Sequence, residues 1–240
     1  MFQQINVEFE QNLFHELYYA QLLENVGNGR QIANLCITDS NQIPIVRTTT
    51  KYKQPIQYAS TVHKKVIDKI NMQCNIRINN IMLECYDNSY KTMKYHSDQS
   101  TDLEPGSNIV IFSCYENKDE KRTLHIKNKT TNDLFGFIMQ HNSAIIFNTT
   151  TNRNHIHKIV RNHESNGRWI GMTMRYSSIF VLYTPIPFIG SIELRMCNND
   201  EEKEYYKLRS VENKEIDFEW PKIDCTVSES DLLPPILGFV

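Results

Sequence analysis

Residues 109–115 read Ile109-Val110-Ile111-Phe112-Ser113-Cys114-Tyr115. This stretch is almost wholly apolar, and its polar residues do not alternate with the apolar ones. A short run of this kind is typical of a β-strand that is buried on both faces. We therefore expect the chain to build a sheet around it.

Further short strand-forming segments lie on both sides of this run, and turn residues separate them. They are residues 80–86, 122–127, 135–140, 143–147, 156–160 and 169–174. Between 80 and 185 no helical period intervenes, and about eight short strands with turns every few residues indicate an antiparallel sandwich or barrel. The predicted fold is mainly β with flanking helices, a double-stranded β-helix (jelly roll) with its cavity between two sheets.

The chain on the N-terminal side of this core is more mixed. Residues 1–79 are predicted to contain helices, short strands and a substrate-lid loop. One helix is expected within residues 1–30, ending at Gly27-Asn28-Gly29. Apolar residues at helical spacing predict a second helix between Ser60 and Gln73, with Ser60 or Thr61 as its cap.

The last part of the chain differs in composition from the core. Residues 80–185 are assigned to the jelly roll, and residues 186–240 to an extension packed on it. Glu201–Leu208 is predicted to be a short helix. Aromatic residues such as Tyr205 and Trp220 make this part too apolar for a free tail.

Composition limits the class of protein. The chain has 240 residues, 40% of them hydrophobic, and a net charge of -2 from 26 basic and 28 acidic residues. The absence of a basic excess argues against a large phosphate-binding surface. No long apolar run and no signal-like start are present, so an intracellular (cytoplasmic or nuclear) protein without membrane contact is expected. The six cysteines are scattered, which predicts reduced thiols and no disulfide framework.

A candidate metal site lies in Tyr95-His96-Ser97-Asp98-Gln99. On an extended strand, side chains two positions apart lie on the same face, so His96 and Asp98 can point into one cavity. A third ligand is expected from a later strand, either His157 or the neighbouring His155. Two histidines and one carboxylate form the ligand set of non-haem Fe(II) oxygenases, and a redox-inert zinc site is the alternative.

Residues 48–60 have no period and interleave basic with aromatic side chains. Lys51, Tyr52, Lys53 and Tyr58 form a candidate substrate-binding group, since such a mixture can bind a phosphate and stack on a base. The alternative is a solvated loop whose tyrosines pack on the core.

The order of these motifs resembles the AlkB-like 2-oxoglutarate/Fe(II)-dependent dioxygenases, particularly relatives in protists and large DNA viruses. The matching elements over residues 80–180 are Tyr86, His96-x-Asp98, Arg122 on a returning strand, Asn142–Phe147, His157-x-Ile159, Arg168 and Thr173-x-Arg175. The resemblance implies that His96, Asp98 and His157 hold Fe(II). It also implies that Arg175 and Tyr86 bind the co-substrate 2-oxoglutarate.

The resemblance leaves the second co-substrate arginine open. The family's arginine falls at Trp169 here, and Arg168 is one position away. On a regular strand Arg168 and Arg175 face opposite sides, so either a bulge corrects this or only one of them reaches the co-substrate. As substrate, the resemblance implies alkylated DNA or RNA. A protein side-chain hydroxylase and a non-catalytic jelly-roll binding module are the alternatives.

Overall fold

The structure, a computed structural model, describes residues 1–38, 40–57, 60–90, 93–162 and 167–237. The helices are α1 (Phe14–Tyr19), α2 (Thr61–Asn71), α3 (Thr149–Asn154) and α4 (Asn199–Glu212), with a 3-10 turn over Glu229–Leu232. The strands are β1 (Gln3–Asn6), β2 (Glu24–Gly27), β3 (Arg30–Cys36), β4 (Gln42–Pro44), β5 (Ile56–Gln57), β6 (Asn80–Tyr86), β7 (Asn108–Tyr115), β8 (Arg122–Asn128), β9 (Leu134–Met139), β10 (Ser143–Asn148), β11 (His155–Arg161), β12 (Trp169–Arg175), β13 (Phe180–Tyr183), β14 (Pro187–Ile189), β15 (Ile192–Glu193), β16 (Arg195–Met196), β17 (Cys225–Thr226) and β18 (Ile236–Leu237).

Two facing sheets form a double-stranded β-helix. The larger sheet has the strand order β1-β10-β7-β12-β6-β3-β5-β18, and the smaller one has the order β11-β8-β9. Apolar residues from both sheets, such as Ile111, Leu124 and Ile159, belong to one buried cluster between them. This architecture confirms the predicted fold class. Each core strand predicted above is present, with its ends shifted by no more than one residue.

The central strand β7 is buried on both faces, as its sequence predicts. Ile109 and Ile111 point into the space between the two sheets. Val110 and Phe112 point to the outer side of the large sheet, where helices cover it. Strand β7 lies between β10 and β12, both antiparallel to it. Its continuous apolar run therefore reflects two separate cores.

Helix α2 covers the outer face of the large sheet and confirms the second predicted helix. Val62, Val66 and Ile70 are buried at helical spacing. The Ser60 side chain caps the helix by accepting a hydrogen bond from Val62 N (3.4 Å). No helix in the described part of the chain is long and apolar enough to cross a membrane.

The predicted helix over residues 1–30 is largely wrong, since the only helix in this described range is the six-residue α1. Strand β1 pairs with β10 at the edge of the large sheet. Gly27, Asn28 and Gly29 all adopt positive φ (88°, 53° and 71°). They form the turn of the β2–β3 hairpin rather than the end of a helix. Residues with positive φ suit a tight hairpin, so the same Gly-Asn-Gly signal serves a different element.

The C-terminal part adds a second small sheet and the helix α4. Strands β15, β14, β13 and β4 form that sheet. Helix α4 extends beyond the predicted Glu201–Leu208 at both ends, and a capping box formed by Asn198 and Glu201 fixes its start at Asn199. The Tyr205 side chain of α4 is buried against the core rather than exposed to solvent, which agrees with an ordered extension.

The expectation of reduced thiols throughout is wrong for one pair. Cys197 and Cys225 form a disulfide across 28 positions of sequence. The parallel pairing of β16 with β17 brings the two residues together, and scattered cysteines give no local sign of such a pairing. The thiols of Cys36, Cys74, Cys85 and Cys114 are free.

Candidate metal centre

The segment that contains His96 and Asp98 lies alongside strand β11. His96 N donates to the carbonyl of His157 (2.9 Å), and His157 N donates to the carbonyl of His96 (2.7 Å). This isolated antiparallel bridge extends the smaller sheet by one short, irregular strand. Two segments about 60 positions apart in sequence are thereby fixed directly opposite each other.

Three potential metal ligands converge at this bridge. Nitrogen or oxygen atoms of His96, Asp98 and His157 all lie within 4.8 Å of one another. His157 Nε2 is 3.9 Å from Asp98 Oδ1, and the two imidazole rings are 4.7 Å apart. The His157 side chain is 3% exposed and that of Asp98 12%. The arrangement leaves one side of the cluster open to a cavity.

The protonation state of the cluster suits a cation. Burial, and after it the nearby His96, lowers the pKa of His157 to about 3, so its imidazole is neutral. Burial alone favours the protonated form of Asp98, but His157 and Arg175 outweigh it and lower the pKa of the carboxyl. Asp98 Oδ2 has no hydrogen-bond partner among the described residues. A neutral imidazole beside a carboxylate with an unused oxygen fits a divalent metal.

The tautomer of His96 is set by the backbone. His96 Nδ1 lies 2.9 Å from the carbonyl oxygen of Lys94. A carbonyl only accepts hydrogen bonds, so Nδ1 carries a proton and Nε2 is the nitrogen left to bind a metal. Such a bond on the far nitrogen orients a ligating imidazole.

His155, the alternative third ligand, lies outside the cluster. Its Nδ1 is 2.9 Å from the carbonyl oxygen of Thr151, and its Nε2 is 3.4 Å from Asn128 Nδ2. Its ring packs edge-on against Phe2. The structure thus brings together the three residues that the resemblance implies and leaves His155 with other partners.

Asn152 holds the ligand segment from one side. The Asn152 Oδ1 atom accepts from Asp98 N (2.8 Å), and its Nδ2 donates to the carbonyl of Asp98 (2.7 Å). Asn152 is 2% exposed and belongs to α3. This double contact fixes the backbone of the proposed carboxylate ligand.

Helix α4 holds the same segment from the other side. Asn213, directly after α4, accepts from Ser97 N (2.8 Å), and Arg209 donates to the carbonyl of Ser97. Glu212 accepts from both the backbone N and the hydroxyl of Ser100 (2.9 and 2.6 Å). Sequence reasoning missed these contacts, because the capping box predicts where α4 starts but not where it docks.

Two adjoining cavities open from the cluster. One is lined by Arg30, Thr48–Thr50, Met82, Glu84, His96, Asp98, Gln99, Thr173, Arg175 and Arg209. The other is lined by Arg30, Thr50, Glu84, Tyr86, Tyr90, Met93, His96, Asp98, Ile111, His157, Ile159 and Thr173. Their walls carry several cations, with the Arg30–Glu84 ion pair between them.

Arg175 and Arg168 lie on opposite sides of the large sheet. Strand β12 keeps a regular register against β7 from Trp169 to Met174, so no bulge brings the two arginines to one face. Arg175 is 4% exposed, and its Nε has no hydrogen-bond partner among the described residues. Arg168 instead forms an ion pair with Glu116 (2.7 Å) on the helix-covered side. The assignment of Arg168 to the co-substrate site is therefore corrected.

Tyr86, which the resemblance implies as a co-substrate residue, lies in strand β6. It is 1% exposed, lines the second cavity and stacks on Trp169 with the ring centroids 5.1 Å apart. The guanidinium of Arg122 lies over both rings, with Cζ 5.0 Å from that of Trp169 and 5.7 Å from that of Tyr86. Sequence reasoning placed Arg122 on a returning strand but gave it no role.

The loop of residues 48–60 contributes to the cavity through other residues than those predicted. Lys51 is 63% exposed and pairs with Glu202 (3.5 Å), and Lys53 is exposed. The Tyr52 hydroxyl donates to Asp231 Oδ1 (2.9 Å) in a separate polar network. Among the described residues of this loop, Thr48–Thr50 line the cavity beside Arg175. The predicted Tyr58 lies outside the described residues.

Comparison with known proteins gives fold-level similarity only. No protein-family model matches the chain, and no curated protein matches its sequence. Among solved structures, OsALKBH1 is similar at 12% identity and TM-score 0.49, over 72% of this chain and 97% of that one. A Trichoplax adhaerens prolyl hydroxylase in complex with a hypoxia inducible factor peptide fragment is 14% identical with TM-score 0.47, over 72% and 83%. A Pseudomonas putida prolyl-4-hydroxylase is 10% identical with TM-score 0.42, over 74% and 93%.

Proposed function

We propose that this protein is an Fe(II)- and 2-oxoglutarate-dependent dioxygenase. The observation that carries the proposal is the convergence of His96, Asp98 and His157 at the open end of a jelly-roll cavity. When bound by two histidines and a carboxylate, Fe(II) supplies oxidation of a C–H bond by O₂, with release of succinate and CO₂ from 2-oxoglutarate.

The protein's own residues have positioning roles in this proposal. His96 and His157 offer ring nitrogens, and Asp98 offers a negative oxygen that partly neutralises the metal charge. Asn152 and α4 keep the ligand segment in place. Arg175, close to Asp98, provides positive charge for an anionic co-substrate near the metal.

The first experiment tests the co-substrate complex. Anaerobic addition of Fe(II) and 2-oxoglutarate should give a weak metal-to-ligand absorption band. His96→Ala should abolish the band, whereas His155→Ala, in the same strand as His157 but outside the cluster, should keep it. If the intact protein gives no band, or if both variants behave alike, the proposal is wrong.

For the substrate we propose N-alkylated nucleic acid, whose hydroxylated methyl group would leave as formaldehyde. Tyr90 lines the cavity together with Arg30. Arg30 and Arg209 add two cations to the cavity wall. An aromatic face beside cations can stack a base and contact phosphate.

The substrate is tested by measuring succinate release with methylated DNA, methylated RNA and peptides. Turnover of an oligonucleotide should fall steeply with salt, because phosphate contacts depend on ionic strength. Turnover with peptides but not with nucleic acids would show that the enzyme hydroxylates protein side chains instead. A protein that forms the co-substrate complex but releases succinate with none of these substrates does not act on nucleic acid.

A further inference from the structure

Arg122 is a buried cation without an anionic partner in the described part of the chain. Its side chain is 1% exposed, and neither Nε nor Nη2 has a hydrogen-bond partner among the described residues. Glu120, the acid that acts on it, forms no ion pair with it and accepts a hydrogen bond from Gly167 N instead (2.7 Å). An unpaired buried charge is costly, so this position is expected to have an anionic ligand.

Two other polar groups without partners lie at the same end of the interior. Trp169 Nε1 and Ser113 Oγ are buried and make no hydrogen bond with the described residues. Gly171 lies opposite Ser113 in the sheet register. A Cβ at Gly171 would come within 2.5 Å of the Trp169 ring, so the indole lies directly over this glycine. Arg122, Trp169 and Ser113 therefore each keep an unused donor in this region.

This end of the interior lies next to the cavity of the candidate metal centre, with Tyr86 between them. Tyr86 lines the cavity that also contains Asp98 and His157, and its ring is 5.7 Å from Arg122 Cζ. In the register of β8 and β11, Arg122 lies opposite Arg161, which is four positions after His157 in β11. That spacing is about 13 Å between backbones, and the two side chains shorten it further. A five-carbon dicarboxylate suits such a span.

We propose that Arg122 binds the distal carboxylate of 2-oxoglutarate, with Trp169 Nε1 and Ser113 Oγ as additional donors. This inference rests on the proposed function. In the resemblance, an arginine is expected at position 169, where this chain has tryptophan. Arg122 reaches over that tryptophan from the opposite sheet and supplies the planar cation. Arg175 is already beside Asp98 and serves the end of the co-substrate near the metal.

The test compares two ligands on the Mn(II)-loaded protein under anaerobic conditions. 2-Oxoglutarate carries the distal carboxylate, and 2-oxopentanoate lacks it. Trp169 and Trp220 are the two tryptophans of the chain, so fluorescence reports on the Arg122 site, and calorimetry gives Kd. The unaltered protein should bind 2-oxoglutarate about 100-fold more tightly, since a bidentate charged pair is lost with the analogue.

Arg122→Met should remove this preference, because it weakens the binding of 2-oxoglutarate and leaves the binding of 2-oxopentanoate unchanged. Arg168→Met is the matched control, because Arg168 lies on the other face of the large sheet, and it should keep the preference. Without ligand, Arg122→Met should not lower the Tm, because an unpaired buried charge is removed. A merely structural arginine would give the opposite result. Arg122→Lys keeps the charge without the fork and should bind 2-oxoglutarate about tenfold more weakly than the unaltered protein.

The outcomes separate this inference from the proposed function. If the unaltered protein prefers 2-oxoglutarate and Arg122→Met and Arg122→Lys keep that preference, Arg122 is not the anchor although the dioxygenase proposal stands. Loss of the preference in Arg175→Met but not in Arg122→Met likewise rules out Arg122 as the anchor. If the Mn(II)-loaded protein binds neither ligand, both proposals fail.

Discussion

Removing the Glu212 carboxylate should loosen the segment that contains His96 and Asp98. The side chain is 7% exposed and accepts hydrogen bonds from Ser100 N (2.9 Å), Ser100 Oγ (2.6 Å) and Arg209 Nη1 (2.8 Å). Breaking a buried pair by removing one partner costs about 3–5 kcal/mol. We expect Glu212→Ala to lower the free energy of unfolding by this amount. The affinity for a divalent metal should fall about 10- to 100-fold, as for outer partners of metal ligands.

Urea unfolding followed by circular dichroism measures the first effect, and calorimetric titration of the folded protein with Mn(II) measures the second. Glu204→Ala is the control, because Glu204 is on the same helix and 54% exposed in its pair with Lys207. It should change stability by less than about 0.5 kcal/mol and leave metal binding unaltered. Reduced stability of Glu212→Ala with unchanged metal affinity would refute the view that α4 positions the ligand segment.

Three further predictions concern stability. Burial lowers the pKa of His63 to about 4, so the folded state loses about 3 kcal/mol of stability as pH falls from 6.5 to 4. In urea unfolding measured over a series of pH values, His63→Leu should remove this loss. Burial raises the pKa of Asp231 to about 6, so the stability that its protonated carboxyl contributes is lost as pH rises through 6. Between pH 4 and pH 8, Asp231→Asn should therefore gain about 3 kcal/mol of unfolding free energy relative to the unaltered protein. For His63 as for Asp231, a variant with the same pH profile as the unaltered protein would contradict the assignment. Cys225→Ser should cost about 3–4 kcal/mol under oxidising conditions, as expected for a 28-residue loop, and nothing in excess reductant.

The sequence was informative where structure follows from short-range patterns. The core strands and α2 are predictable, because alternation or helical spacing over a few residues decides which side chains can be buried. The opposite faces of Arg168 and Arg175 follow from the same counting, since β12 has no bulge. The spacing of two also indicates that His96 and Asp98 share one face, although Asn152 and α4 hold the segment in place.

The remaining features depend on contacts between distant parts of the chain. Asn213 bonds to Ser97 across 116 positions, and the Cys197–Cys225 bridge depends on how β16 meets β17. Neither leaves a periodic signal. The Gly27-Asn28-Gly29 turn gave a correct local signal for a chain reversal, but only tertiary pairing determines whether a helix or a hairpin precedes it. Arg122 becomes conspicuous only when its surroundings in the folded chain are known.

The docking of α4 onto the ligand segment has a consequence for biosynthesis. A nascent chain that has emerged as far as residue 185 already contains all three proposed ligands, the whole smaller sheet and every strand of the larger sheet except β18. It still lacks Arg209, Glu212 and Asn213, which hold the backbone of Ser97 and Ser100. On the ribosome the metal pocket therefore stays incompletely organised until the last quarter of the polypeptide has been made, and tight metal capture is expected as a late, post-translational event.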